Sequence, residues 1–214
     1  MKRTLLVCTV CGCIAGIAPA SSITTVAFDP GTTYVTTALS EDATYGSMMQ
    51  GMEVTAYFVD GFIDMRLWGD TQAGGFSSWE HRWSLVSAND TYDSNWGLYN
   101  HGTEGIERIV INAGPGNTVF DITYYDPITG DSFGTPGSFD GYTFETTTTR
   151  GIVATYSDQV ALSGAAPVGD LYRSLTIDFS NREEGCLLGG RAIFFRADTD
   201  NILYAGDLQA LVIP

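Results

Sequence analysis

Lysine is absent from this chain after residue 2. Of the ten Lys and Arg in 214 residues, Lys2 and Arg3 stand at the start, which leaves eight arginines against 25 Asp and Glu. Residues 21–214 therefore carry a net charge of 8 − 25 = −17. A surface this acidic repels the phosphates of nucleic acids and anionic lipid headgroups. We therefore expect no nucleic acid among the partners of this protein.

Cysteine and long apolar runs are also scarce beyond residue 20. Cys186 is the only cysteine there, so no intramolecular disulfide can form and we expect it to be buried as a small apolar residue. No apolar run approaches the roughly 18 residues that a transmembrane helix needs. Hydrophobic residues nevertheless make up 44% of the chain, which is enough for a packed core.

The first twenty residues have the layout of a secretory signal peptide. Lys2 and Arg3 precede an apolar run over residues 4–17, and Ala18-Pro19-Ala20 forms a small-x-small cleavage site. We predict a leader over residues 1–20, a single domain over residues 21–214, and a secreted or cell-surface location in a bacterium. Lipid anchoring at Cys13, within a loose lipobox, is the less favoured alternative.

The rest of the chain reads as short alternating strands separated by Gly, Asn, Asp and Pro. The clearest case is a hairpin in which residues 51–59 and 62–68 flank the two-residue turn Asp60-Gly61. No window shows a sustained helical period with caps. About a dozen such strands predict an all-β fold, which we expect to be a two-sheet antiparallel β-sandwich of jelly-roll type.

Several segments resemble a known group of exported proteins. Residues 51–61 match the hairpin motif G-M-x-V-T-x-x-F-x-D-G, and four further segments follow in the same order: residues 96–100, 106–116, 119–121 and 194–200. Over roughly residues 45–201 the chain is similar to the ectodomains of bacterial PEP-CTERM proteins, which are sorted by exosortases. The resemblance implies export, residence on the surface or in the matrix, and a β-sandwich. It implies no catalytic residue.

The sorting tail typical of that group, Val-Pro-Glu-Pro followed by an apolar helix and an arginine cluster, does not occur before Pro214. We expect either a relative without the tail that is released, or a tail beyond the end of this sequence.

Oxygen-rich segments point to calcium as the candidate ion, because Ca²⁺ takes several oxygen ligands from carboxylates and carbonyls. Asp198 and Asp200 lie on one side of an extended segment and are the favoured metal ligands. Residues 90–95 and 126–131 are two further acidic loops. Ordinary Asx-turns explain all three segments as well as a metal does.

Aromatic residues offer a second type of site, since their faces can stack on sugar rings. Trp79, Trp83 and Tyr92 are the candidates for ligand binding, and Trp68 and Trp96 are expected in the core.

Taken together, these features favour a non-catalytic surface or extracellular-matrix protein that is stabilised by calcium and contacts polysaccharide or other surface proteins. A carbohydrate-binding module and a secreted hydrolase are the two alternatives, and no spacing of residues selects a catalytic group.

Overall fold

Fifteen strands build the fold in the computed structural model, which describes residues 22–25, 34–41, 43–75, 82–122, 124–125, 132–133, 141–146, 151–164 and 169–204. The strands are β1 (Ser22–Thr25), β2 (Tyr34–Glu41), β3 (Glu53–Phe58), β4 (Ile63–Leu67), β5 (Gln72–Gly74), β6 (Trp83–Val86), β7 (Trp96–Asn100), β8 (Ile106–Asn112), β9 (Thr118–Asp121), β10 (Tyr124–Tyr125), β11 (Ser132–Phe133), β12 (Val153–Leu162), β13 (Leu171–Asp178), β14 (Ala192–Phe195) and β15 (Asp198–Tyr204). Two 3₁₀ turns accompany them, Gly46–Met49 and Gly114–Gly116.

The larger sheet closes on itself. Its nine strands run in the order β1-β12-β2-β15-β9-β13-β8-β3-β4, and β12 also pairs with β13. Strands β12, β13, β9, β15 and β2 therefore form a closed ring, while β8, β3 and β4 extend one side of it. The all-β prediction is confirmed. The two-sheet antiparallel sandwich is not what forms here, because the β12–β13 pairing closes the larger sheet into a barrel. In addition, β12 pairs in parallel with both β1 and β2.

A smaller sheet in the order β14-β7-β6-β5 covers the extended side of the barrel. The main core lies between them and draws on both sheets, with Trp96 stacked parallel to Phe195 at 6.0 Å and Trp68 packed edge-on against Trp96 at 5.3 Å. Trp68 and Trp96 are buried, as predicted. Cys186 is the only cysteine among the described residues, so no disulfide stabilises this part of the chain. The burial of several aromatic side chains supplies much of the apolar area that stabilises it instead.

The predicted hairpin is present as β3 and β4, joined through Asp60-Gly61. Gly61 adopts φ +81°, a conformation that costs glycine little because it has no Cβ. Val54, Ala56 and Phe58 alternate into the core from β3. The expected alternation of β3 is confirmed.

The barrel has an interior of its own, separate from the main core. Val119, Val160, Leu171 and Ile202 form a second apolar cluster, whereas Phe120 belongs to the main core. Because successive side chains of a strand point to opposite faces, β9 directs Val119 and Asp121 into the barrel and Phe120 out of it. A carboxylate thus enters an apolar interior.

Two smaller observations complete the fold. Cys186 is a buried free thiol, as predicted. Among the described residues, none of the helical segments has the length and apolar character needed to cross a bilayer.

Candidate metal centre

Three aspartates meet where β9 and β15 pair. The antiparallel register sets Asp198 directly opposite Asp121 and sets Asp200 opposite Val119. Residues two apart on a strand share a face, so Asp200 stands on the same side as Asp198. One carboxylate oxygen from each of the three residues lies within 4.8 Å of the other two.

All three side chains are removed from solvent. Asp121 and Asp198 are each 1% exposed and Asp200 is 0% exposed. Asp residues are almost never fully buried unless something compensates for their charge, because moving an ionised carboxylate out of water is costly. Three of them together require an explanation beyond ordinary packing.

Asp198 is held through only one of its two oxygens. Its Oδ1 accepts hydrogen bonds from Thr91 Oγ1 at 3.0 Å and from the backbone N–H of Thr199 at 2.8 Å. Its Oδ2 is buried and has no hydrogen-bond partner among the described residues. No described arginine forms an ion pair with Asp198. This leaves a buried acceptor oxygen ready for a ligand that brings positive charge.

A backbone segment closes the site from the side. The N–H of Tyr142 donates to the carbonyl of Asp121 at 3.2 Å, and the N–H of Asp198 donates to the carbonyl of Tyr142 at 3.0 Å. The neighbouring Gly141 lies so close that a Cβ built there would come within 2.7 Å of Asp121 Oδ1. Glycine at 141 therefore permits the close approach of this segment to the carboxylate.

The burial and the proximity of these carboxylates change the pKa values of groups in the site. Burial, and after it the nearby charge of Asp200, raise the pKa of Asp198 to about 8, although the hydrogen bonds from Thr91 and Thr199 act in the opposite direction. Burial also raises the pKa of Tyr156, whose hydroxyl accepts a hydrogen bond from the N–H of Phe144 at 2.8 Å. A bound cation would stabilise the ionised form of Asp198 instead.

The donor set decides which ions fit. All three groups are carboxylates, which suit hard cations such as Ca²⁺, Mg²⁺ or Mn²⁺ rather than zinc or copper. Two oxygens that bind one Ca²⁺ at about 2.4 Å can be up to about 4.8 Å apart. The observed spacing of the carboxylate oxygens meets that limit.

The sequence predicted two of the three residues. Asp198 and Asp200 lie on one side of an extended segment, as predicted, and this segment is strand β15. Asp121 was not among the predicted ligands. From the second acidic loop, Thr91 contributes the hydroxyl that holds Asp198, while Asp90 accepts a hydrogen bond from the N–H of Tyr92 in an Asx-turn. Residues 126–131 lie outside the described residues.

Two of the three aromatic candidates, Trp83 and Tyr92, lie among the described residues. Trp83 is fully buried in the main core, and its Nε1 donates to Asp64 Oδ2 at 3.0 Å, so its ring offers no face to a ligand. The first three residues of β6 are all buried, so this strand places Trp83 in the core. Trp79 lies outside the described residues.

Tyr92 is half-buried in a small aromatic cluster beside the carboxylates. Its ring meets Tyr142 edge-on at 6.2 Å, and the Arg196 guanidinium lies 3.7 Å from the centre of the Tyr142 ring. Arg196 also donates to the carbonyl of Tyr92 at 2.5 Å. These contacts anchor the segment that covers Asp121 to the loop that supplies Thr91.

Comparison with known proteins adds no relative. No family model matches the chain, and no curated protein and no solved structure matches it significantly.

Proposed function

We propose that this chain is an exported, non-catalytic surface or extracellular-matrix protein whose barrel is locked by one divalent cation, calcium by preference. Asp121, Asp198 and Asp200 would supply the protein ligands. The ion would join β9 to β15 from inside the barrel, where the register already sets Asp121 and Asp198 opposite each other. In this role the cation strengthens the fold and performs no reaction.

The observation that carries the proposal is the state of Asp198. Its side chain is 1% exposed, its Oδ2 has no hydrogen-bond partner among the described residues, and burial together with a second carboxylate raises its pKa. A buried acceptor without a partner costs about 1–3 kcal/mol, and more when it is charged. A divalent cation removes that cost and offsets the repulsion between the carboxylates.

Burial also favours a structural ion over a catalytic one. Catalytic metal sites keep an open coordination position for water or substrate, whereas structural sites are closed. Here the three carboxylates are at most 1% exposed, and the segment at Gly141 and Tyr142 packs against Asp121. A substrate would have to displace this segment to reach the carboxylates.

Thermal unfolding with calcium or with a chelator tests the proposal. A ligand that binds only the folded state at 100 times its dissociation constant stabilises that state by about 2.7 kcal/mol. We therefore expect millimolar CaCl₂ to raise the Tm by several degrees and EDTA to reverse the rise.

Two variants make the test specific. Asp198→Asn should abolish the calcium response, and Asp93→Asn, which changes an exposed carboxylate in the neighbouring loop, should keep it. A Tm that calcium leaves unchanged, or a response that both variants retain, would refute the site.

Export is the second part of the proposal. It is supported by the leader-like layout of residues 1–20 and by the resemblance to exosortase-sorted ectodomains. Mass spectrometry of the protein recovered from the medium or the cell surface should show a chain that begins at Ser21. A chain that keeps its first twenty residues and stays in the cytoplasm would refute this part without bearing on the metal.

A further inference from the structure

Strand β4 forms one border of the larger sheet, and on its outer side no described strand pairs with it. On its inner side it pairs with β3 over Ile63–Leu67. Such an edge presents a row of backbone donors and acceptors that can pair with another strand. Natural proteins usually protect an edge of this kind with charge, proline or a covering segment.

The hydrogen-bond pattern shows which residues of β4 face outward. The N–H of Phe58 donates to the carbonyl of Phe62, and the N–H of Trp68 donates to the carbonyl of Met52. In an antiparallel pair, hydrogen-bonded positions alternate along the strand, so even-numbered residues of β4 bond to β3. The backbone groups of Ile63, Met65 and Leu67 therefore point to the outer edge.

The side chains of the same three residues are apolar and face solvent. Ile63 is 58% exposed, Met65 53% and Leu67 61%. The alternate residue Asp64 points the other way and is nearly buried beside Trp83. The strand thus turns its apolar side outward and its charged side inward, the reverse of ordinary burial. This strip of Ile63, Met65 and Leu67 is called the β4 edge below.

We infer that the β4 edge pairs with the β4 edge of a second copy of this chain, antiparallel and about a two-fold axis at Met65. In that register Ile63 of each copy lies opposite Leu67 of the other, and Met65 lies opposite itself. At all three positions the backbone N–H and C=O groups point to the outer edge in both copies. Each of these residues therefore lies opposite a residue with which it can form backbone hydrogen bonds. A two-fold interface requires this self-complementarity.

Charge complementarity supports the same occupant. The register places Asp64 of one copy opposite Arg66 of the other, twice, on either side of the axis. These are non-hydrogen-bonded positions, where side chains of paired strands come closest and where opposite charges stabilise the pair. Within one chain Arg66 Nε lies 2.9 Å from Asp64 Oδ1, and the Arg66 side chain is 39% exposed.

The sequence Ile63-Asp64-Met65-Arg66-Leu67 is thus its own complement when it is read in the opposite direction. A strand of another protein would need the same pattern to match apolar and charged positions together, whereas a second copy has it by construction. The net charge of −17 opposes association of two copies. We therefore expect a concentration-dependent dimer rather than a permanent one.

Sedimentation velocity of the exported protein, from micromolar to millimolar concentration, tests the inference with two variants at the axis. In Met65→Glu and in Met65→Lys each copy meets its own charge, and like charges directly opposite are destabilising. We expect each variant alone to remain monomeric, with a dissociation constant raised more than about tenfold. Mixed in equal amounts, the two variants should form a heterodimer, because opposite charges then meet at the axis.

The matched control is Leu188→Lys, which adds a charge at another exposed apolar residue, 41% exposed and outside the strand. It should dimerise like the unaltered chain. An unaltered chain that stays monomeric at millimolar concentration, or dimers that Met65→Glu leaves intact, would overturn the inference. A mixture of the two Met65 variants that stays monomeric would overturn the two-fold register. Near-ultraviolet circular dichroism confirms that each variant keeps the native fold.

Discussion

Asp121 and Asp198 face each other across the β9–β15 ladder, and both carboxylates are buried inside the barrel. Cross-strand neighbours of like charge destabilise a sheet even at its surface. Here the pair is shielded from water and joined by Asp200. A fold that brings these groups together gains stability from any cation that fits between them, and this gain is the physical basis of the proposed function.

Lowering the pH should weaken cation binding and should stabilise the metal-free protein against unfolding. Asp198 has a raised pKa of about 8 in the folded chain against 3.8 for an ordinary aspartate. Between these values the folded state holds a proton that the unfolded state has released, so stability falls as pH rises through this range and levels off above about pH 8. Urea unfolding in EDTA at a series of pH values measures the slope.

Asp198→Asn is the control for this pH dependence, because asparagine does not titrate. The variant should lose the part of the slope that Asp198 contributes. An identical slope in the unaltered chain and the variant would show that Asp198 is not the group responsible.

Removal of the Thr91 hydroxyl should destabilise the site. Thr91 Oγ1 donates to Asp198 Oδ1 and accepts a hydrogen bond from the N–H of Thr199 at 3.0 Å, and all three residues are buried. Thr91→Val leaves these groups without the hydroxyl, which costs about 1–3 kcal/mol. For a domain of this size that predicts a Tm lower by roughly 2–12 °C. Calorimetry measures the change.

Two further variants separate the hydroxyl from the shape of the side chain. Thr91→Ser keeps the hydroxyl and should recover most of the stability that valine loses. Thr103→Val replaces an exposed threonine and should have little effect. Equal stability of Thr91→Val and Thr103→Val would contradict the role assigned to Thr91.

Gly141 should tolerate no side chain. A Cβ at this position would lie 2.7 Å from both the backbone carbon and Oδ1 of Asp121, so the segment or the carboxylate must shift. We expect Gly141→Ala to lower the Tm and to weaken calcium binding by displacing one ligand. Gly69→Ala is the matched control, since the nearest atom there is 3.6 Å away. Calcium titration of both variants distinguishes them, and equal affinities would contradict the placement of Asp121.

Asp64 should be essential to the packing of Trp83. Its Oδ2 accepts the indole N–H at 3.0 Å, and its Oδ1 lies 2.9 Å from Arg66 Nε. Asp64→Ala leaves the buried indole donor without its acceptor, at a cost of about 1–3 kcal/mol. Asp64→Asn, with an acceptor oxygen retained, should cost less. Chemical unfolding followed by tryptophan fluorescence reports both, and equal losses would show that the hydrogen bond is unimportant.

Local patterns in the sequence predicted the all-β class and the clearest hairpin, because alternation and turn residues act over a few positions. The β3–β4 hairpin follows from the alternation on either side of Asp60-Gly61. Closure of the barrel did not follow from such patterns, since the β12–β13 pairing that creates it is a tertiary choice among many possible partners. The exposure of Ile63, Met65 and Leu67 did not follow from local patterns either. It results from the burial of Asp64 against Trp83, which directs the alternate residues of β4 to solvent.

Two of the three residues of the candidate site could be predicted for the same reason. Asp198 and Asp200 are two residues apart, so any extended segment puts them on one side. Asp121 reaches them only through the β9–β15 register. The signal that could have identified it is its place in Val119-Phe120-Asp121, where alternation pairs an aspartate with an inward-facing valine. Trp83 is buried because the first three residues of β6 all lie in the core, and this packing cannot be seen in the sequence around it.

Equilibrium dialysis of the protein against buffered calcium, with the bound metal counted by mass spectrometry, tests the central claim most directly. The account predicts one calcium ion per chain, reduced to none by Asp198→Asn and unchanged by Asp93→Asn. A chain that binds no calcium at millimolar concentration, or binds it equally well without the Asp198 carboxylate, would contradict it.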